Sequence, residues 1–229
     1  DDQGGADMWG DATFRGNVYR YNYWHHLGNW HGRDEELPCG QAGIRLDDAI
    51  SGVLIYGNVF YRCASGKLGF GGVQIHGGKD NIIDNNIFAD CTYAISFSPW
   101  GDKRWKEFVA EAMDSPQIDA ALYTERYPDL TRLLEDADVN RVRRNLVWNC
   151  EHFLHRDRGK ALLEANVVTG EASLFPNAGQ GDFSMRTLPP ELVAVGFEAI
   201  PFAKIGLYSD HYRNTLSLDA LSDSRSRTP

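Results

Sequence analysis

The chain has 229 residues, of which 42% are hydrophobic and 24% charged, with a formal net charge of -9. That length buries one sizeable core, and no run approaches the ~18 apolar residues that a membrane span needs. The acidic balance argues against a nucleic-acid partner, which would want a basic face, and mildly disfavours a strongly anionic substrate.

In chain order, the opening DDQGGADMWG (Asp1 to Gly10) is polar and turn-like and does not read as a signal peptide. The expectation is a chain that begins after processing or inside a longer protein. GNVYRYN (Gly16 to Asn22) follows, and related segments recur as GNVFYRC (Gly57 to Cys63), NNIFADC (Asn85 to Cys91), RNLVWNC (Arg144 to Cys150) and, more weakly, ANVVTGE (Ala165 to Glu171). Each carries Asn before two strand formers. This alignment puts Asn17, Asn58, Asn86, Asn145 and Asn166 in one column, and Asn22, Cys63, Cys91 and Cys150 in another. Shorter strands, GIRLDD and GVQIHGG, precede the second and third copies, and GADMWGD and AISFSP look like further members. Short strands repeating every ~20 to 30 residues between Gly, Asn and Asp turns signal a solenoid. Asn suits a tight coil corner because it tolerates the left-handed conformation and its amide can stack from coil to coil. The cysteines read as small buried hydrophobes in equivalent positions; their spacing matches no zinc pattern and implies no disulfide.

The expected fold is an all-β solenoid, a right-handed parallel β-helix with a short helical insertion, forming a single domain over residues 1–213. Parallel crossovers are nearly always right-handed. Two stretches interrupt the coils. Leu27 to Ala42 is a polar loop carrying Trp30 and His31. Residues 100–140, approximately, are helical: Trp105, Phe108, Val109, Ala112 and Met113 fall at helical spacing, with a break near Pro128. These helices are expected outside the solenoid, walling a groove. Residues 172–213 read as an extended segment covering the last coil, and residues 214–229 as a flexible tail. An open stack needs covering at its ends, so self-association or further N-terminal coils are expected at the first one.

Aligning ADMW, IRLD and VQIH points Ala6, Ile44 and Val73 inward, then Met8, Leu46 and Ile75. The outward columns are then Asp7, Arg45 and Gln74, followed by Trp9, Asp47 and His76. Lys79, Asp80, Asp1 and Asp2 are candidates for the rim. Carboxylates on adjacent coils lie ~4.8 Å apart at the backbone and those two coils apart ~9.6 Å. Retaining glycosidases want ~5 Å between their carboxyl groups and inverting ones ~6.5–9.5 Å, so such a face can serve either. Candidate catalytic residues are therefore Asp47, Asp48, Asp7 and Asp2, with Arg45, His76, Lys79, Trp9 and Trp30 as candidate substrate contacts. Trp9, Trp24 or Trp30 would offer a flat face to a sugar ring. Bland readings stand beside these. Asp48 starts a turn before AISG, His76 could cap the Gly77-Gly78 turn, and Asp80 before Asn81 reads as a turn residue. No metal site is singled out by spacing.

GIRLDDAISGVLIYGNVFYRC, IHGGKDNIIDNNIFADC, ERYPDL and GFEAIPFAKIGLYSDHYR together resemble the pectate-lyase-like, right-handed β-helix proteins of bacterial carbohydrate-degrading systems. The likeness covers residues 1–213 and is nearest to β-helix glycoside hydrolases of the fucosidase and xylanase type. It implies cleavage of plant or algal polysaccharide by an aspartate pair on neighbouring coils: Asp2 or Asp7 with Asp47 or Asp48. It implies no cofactor, a polysaccharide or oligosaccharide partner, and a secreted or periplasmic location. Proteins of that type extend further on the N-terminal side, so this chain looks like a C-terminal portion. Because β-helices host many chemistries, two alternatives stand. One is a polysaccharide lyase, with Arg45 or Lys79 as base and calcium held by carboxylates. The other is a non-catalytic glycan-binding or structural β-helix.

Overall fold

The computed structural model describes residues 3–11, 13–28, 40–65, 69–128, 140–158 and 161–205. Among the described residues, fifteen strands form three parallel sheets of five. Sheet A orders β1 (Gln3–Met8), β4 (Gln41–Leu46), β7 (Gly69–His76), β10 (Tyr93–Ser98) and β13 (His152–His155). Sheet B runs through β2 (Val18–Arg20), β5 (Leu54–Tyr56), β8 (Ile82–Asp84), β11 (Asn140–Arg143) and β14 (Ala161–Glu164). Sheet C runs through β3 (Tyr23–Gly28), β6 (Val59–Ser65), β9 (Ile87–Ala89), β12 (Leu146–Trp148) and β15 (Val167–Thr169). Three successive strands make one coil, and five coils stack in register. The expected parallel β-helix is the fold observed.

The interior is a set of apolar columns. Ala6, Ile44, Val73, Ile95 and Leu154 form one. Tyr19, Ile55, Ile83, Val142 and Leu163 form a second, and Trp24, Phe60, Phe88, Val147 and Val168 a third. Phe60 and Phe88 stack at 4.8 Å between ring centroids, nearly coplanar. Cys63, Cys91 and Cys150 follow one another as the sequence suggests and are free thiols. Burial pushes the Cys63 thiol well above its usual range.

The asparagine ladder is real, but its first rung is Asn22 rather than Asn17. Asn22 Nδ2 donates to Asn58 Oδ1, and the series continues through Asn86, Asn145 and Asn166. Gly16-Asn17 sits one corner earlier, because Val18 pairs with Leu54 of sheet B and not with Val59 of sheet C. The two corners share a small-residue-Asn-Val pattern, and that is why the alignment slipped. The left-handed residue is also not the ladder Asn but its predecessor: Tyr21, Gly57, Asn85, Arg144 and Ala165 all have positive φ. The backbone kink therefore aims the next side chain inward, where Asn satisfies the corner's N–H and C=O groups.

Among the described residues between β10 and β11, there are two α-helices, α1 (Asp102–Met113) and α2 (Ala120–Arg126). Trp105 and Val109 of α1 bury their side chains against Trp100 and Ala49. Tyr123 and Tyr127 donate to the carbonyls of Thr13 and Arg15, so the insertion clasps the turns that follow sheet A. The C-terminal segment, including α3 (Pro190–Ala194), lies along the outer face of sheet C. Phe183 touches Tyr23, Tyr61 and Trp148 from three different coils. Expected over the last coil, this segment covers the flank of the stack instead. Leu163 and Val168 of the last coil remain 46% and 59% exposed.

Candidate functional site

The outward columns of sheet A converge as the alignment expects. Asp7 pairs with Arg45 and Arg45 with Gln74 in strand register, and the row extends to Ser96 and His155. One row further on, Asp47 follows Trp9, with its N–H donating to the Met8 carbonyl at 2.8 Å. His76 pairs with Ser98 in that row.

Strand alternation would send Asp47 and Asp48 to opposite faces. They share a face because the backbone turns left-handed at Asp48 (φ 42°) and stays so at Ala49 (φ 64°). Neither residue is a glycine, so this turn carries strain that its surroundings must offset. The Ala49 N–H donates to the His76 carbonyl, and burial of Ala49 beneath α1 fixes the corner.

The resulting cluster is dense. His76 Nδ1 lies 2.6 Å from Asp47 Oδ1 and 3.7 Å from Asp48 Oδ1. An Asp47 oxygen, an Asp48 oxygen and a His76 ring nitrogen all fall within 4.8 Å of one another. Arg45 reaches Asp47 Oδ1 at 2.9 Å and Asp7 Oδ2 at 3.6 Å, and its Nε donates to Gln74 Oε1 at 3.1 Å. The Trp9 indole N–H donates to Asp48 Oδ2 at 2.6 Å while the ring stays 71% exposed. His76 also meets the edge of Trp100, whose ring stacks beneath Arg104. No family model matches the chain, and no curated protein or solved structure does.

Arg45, Asp47, Asp48, His76, Trp9 and Asp7 are thus brought together. Lys79 is buried instead, its Nζ 4.8 Å from the centre of the Trp105 ring. Asp80 takes the left-handed backbone of a turn residue (φ 59°) and pairs with Arg15. Asp2, Trp30 and His31 lie outside the described residues. Sequence reasoning missed Trp100, Ser96 and Ser98. The serines were within reach, since AISFS aligns under GVQIH; Trp100 gives no periodic signal.

Two carboxylates and an imidazole could also receive a divalent cation. Calcium prefers an all-oxygen shell, whereas imidazole suits zinc, copper, iron or nickel. Asp47 Oδ1 already accepts from both Arg45 and His76, so a cation there must displace a guanidinium. The cluster fits a pair of organised carboxyl groups better than a calcium shell.

Proposed function

We propose that the chain is a carbohydrate-active β-helix protein that hydrolyses glycosidic bonds at the Asp47–Asp48 cluster. The observation that carries this reading is the pair of carboxylate oxygens within 4.8 Å beside an exposed Trp9 ring. Retaining glycosidases hold their carboxyl groups ~5–5.5 Å apart. This pair sits on one coil, not on adjacent coils. Asp7 on the neighbouring coil is joined to it through Arg45.

Asp47 is the more buried of the two and is held by Arg45 and His76, which suits a nucleophile of fixed direction. Its oxygen forms a bond to the anomeric carbon as the glycosidic C–O bond breaks. Asp48, on the open side, gives its proton to the departing oxygen and then takes one from the water that releases the sugar. Trp9 stacks on the sugar and, through its indole N–H, holds Asp48 in place.

A lyase mechanism has less to work with. Its two candidate bases, Arg45 and Lys79, are 7% and 6% exposed and engaged with Asp47 and Trp105. Product analysis on neutral and acidic plant and algal polysaccharides tests the proposal. The expected outcome is saturated reducing sugar from the wild type and none from Asp47→Asn. Ultraviolet-absorbing unsaturated product would reassign the chain as a lyase. Binding without turnover, surviving loss of both aspartates, would leave a glycan-binding module.

A further inference from the structure

Arg104, in the first turn of α1, lies flat over Trp100, its guanidinium carbon 3.6 Å from the centre of the ring. The opposite face of the indole rests on the Gly77 backbone, where a Cβ would come within 2.5 Å of it. Its edges meet the His76 ring at 5.6 Å and the Phe108 ring at 5.1 Å between centroids, each nearly perpendicular. Trp100 is therefore clamped on both faces and buried, and Arg104 is the exposed outer layer of the stack. The imidazole that meets Trp100 also lies 2.6 Å from Asp47. One aromatic ring thus separates the Arg104 guanidinium from the Asp47–Asp48 cluster.

The two arginines beside the cluster differ in what they face. Arg45 is buried, and Asp7, Asp47 and Gln74 engage its guanidinium. Among the described residues, no carboxylate comes within ion-pair distance of Arg104. Glu107, three residues on in the same helix, lies 3.8 Å from Lys103 instead. Stacking occupies only the face of a guanidinium. Its in-plane fork of N–H donors stays open, and that fork fits the oxygens of a carboxylate or a sulfate ester. The stack also fixes the side chain in advance, so little freedom is lost when an anion binds. Asp7, Asp47 and Asp48 would repel such an anion from this face, and a fixed cation next to them is the local feature that offsets it.

We propose that Arg104 is a specificity residue of the Asp47–Asp48 site, and that the glycan taken there is anionic, with a carboxylate or a sulfate ester on the sugar unit next to His76. The acidic substituent pairs with the open edge of the Arg104 guanidinium, while the bond to be cleaved lies over Asp47 and Asp48. The net charge of -9 points the other way, but it is spread over the whole chain, and at contact distance the nearest fixed group dominates. The inference rests on the reading of the cluster as a glycan site and adds the class of glycan.

Titration calorimetry in the Asp47→Asn background, where turnover is blocked, tests this. The probes are acidic oligosaccharides from plant and algal polysaccharides, each beside its neutral form: uronates with the carboxylate reduced to the alcohol, and sulfate esters with the sulfate removed. In one of the two series the acidic form is expected to bind about tenfold or more tighter than its neutral form, which also identifies the substituent. Adding Arg104→Gln is expected to bring that ratio to about one, Arg104→Lys to keep part of it, and raised salt to shrink it. Equal affinity, or no binding, in both series overturns the proposal. So does an Arg104→Gln loss shared equally by acidic and neutral forms, the mark of a guanidinium that only shields Trp100. Where an Arg104 variant does not fold, the ratio in the starting background decides. The hydrolase reading is scored separately, on sugar released by the wild type. Release with a ratio of one keeps the hydrolase and sinks this inference; a high ratio without release keeps this inference as anionic-glycan binding and sinks the hydrolase.

Discussion

At the corner between sheets B and C, five coils present Asn22, Asn58, Asn86, Asn145 and Asn166 in one line. At the far rim of sheet A the corresponding line reads Trp9, Asp47, His76 and Ser98. The first line meets the same problem in each coil, a tight turn whose buried backbone groups need partners, and answers it with the same side chain each time. The second has no such recurring need, since its backbone is already paired within the sheet. Its members differ, yet Trp9, Asp47 and His76 are tied to one another directly or through Asp48. Ordinary surface positions vary without such mutual contact. Uniformity marks the scaffold here, and linked diversity marks the candidate site.

Substitutions in the two lines should separate along this division. Asp47→Asn is expected to cut kcat about a thousandfold or more, the scale of losing a covalent catalyst, while moving the thermal midpoint little; assays beside calorimetry check both. Asn86→Ala is expected to do the reverse. It strips the Asn58 N–H and Nδ2 of their acceptor and the Ile55 carbonyl of a donor. At ~1–3 kcal/mol for each buried group left unsatisfied, the loss should be about 3 kcal/mol or more, read by denaturant titration. Trp9→Ala should raise KM about tenfold, or ~1.4 kcal/mol. Trp9→Phe should recover most of that affinity but not the hydrogen bond to Asp48.

The smallest effect lies at the other end of the sheet A row. His155 stacks on Tyr93 at 4.1 Å, and burial, with Arg156 and His152 nearby, holds its imidazole below the usual range. The unfolded chain therefore takes up the proton first as pH falls through about 6.5. Stability is unaffected above that pH and declines below it until the folded form protonates too. Thermal midpoints across this window should show a shallow fall that His155→Gln flattens.

Much of this was legible in the chain. Alternation in ADMW, IRLD and VQIH placed Asp7, Arg45, Gln74, Asp47 and His76 in their rows, because inward apolar residues fix strand register. The Asn17 misassignment shows the limit: two corners of one coil use the same short motif, and spacing cannot tell them apart. Asp48 was ambiguous for a different reason. Its side chain shares a face with Asp47 only through a left-handed turn that a non-glycine pair does not announce. The path of residues 172–205 was hidden too, since their apolar residues have no period and find their place only against Val59, Ile87 and Leu146 of sheet C.

That path alters how the molecule should come apart. A stack held only by contacts between neighbouring coils behaves like a line of dominoes and can fray from either tip. Here one strap is fastened to the first coil by the Tyr23 hydroxyl on the Gly181 carbonyl, to the third by Asn85 on Glu198, and to the fourth by the Trp148 indole on Glu171. Peeling away a terminal coil loosens the strap from the rest, and releasing the strap bares the flank of the whole stack. A row of separable units is thereby bound into a single all-or-none body, as a spine binds pages.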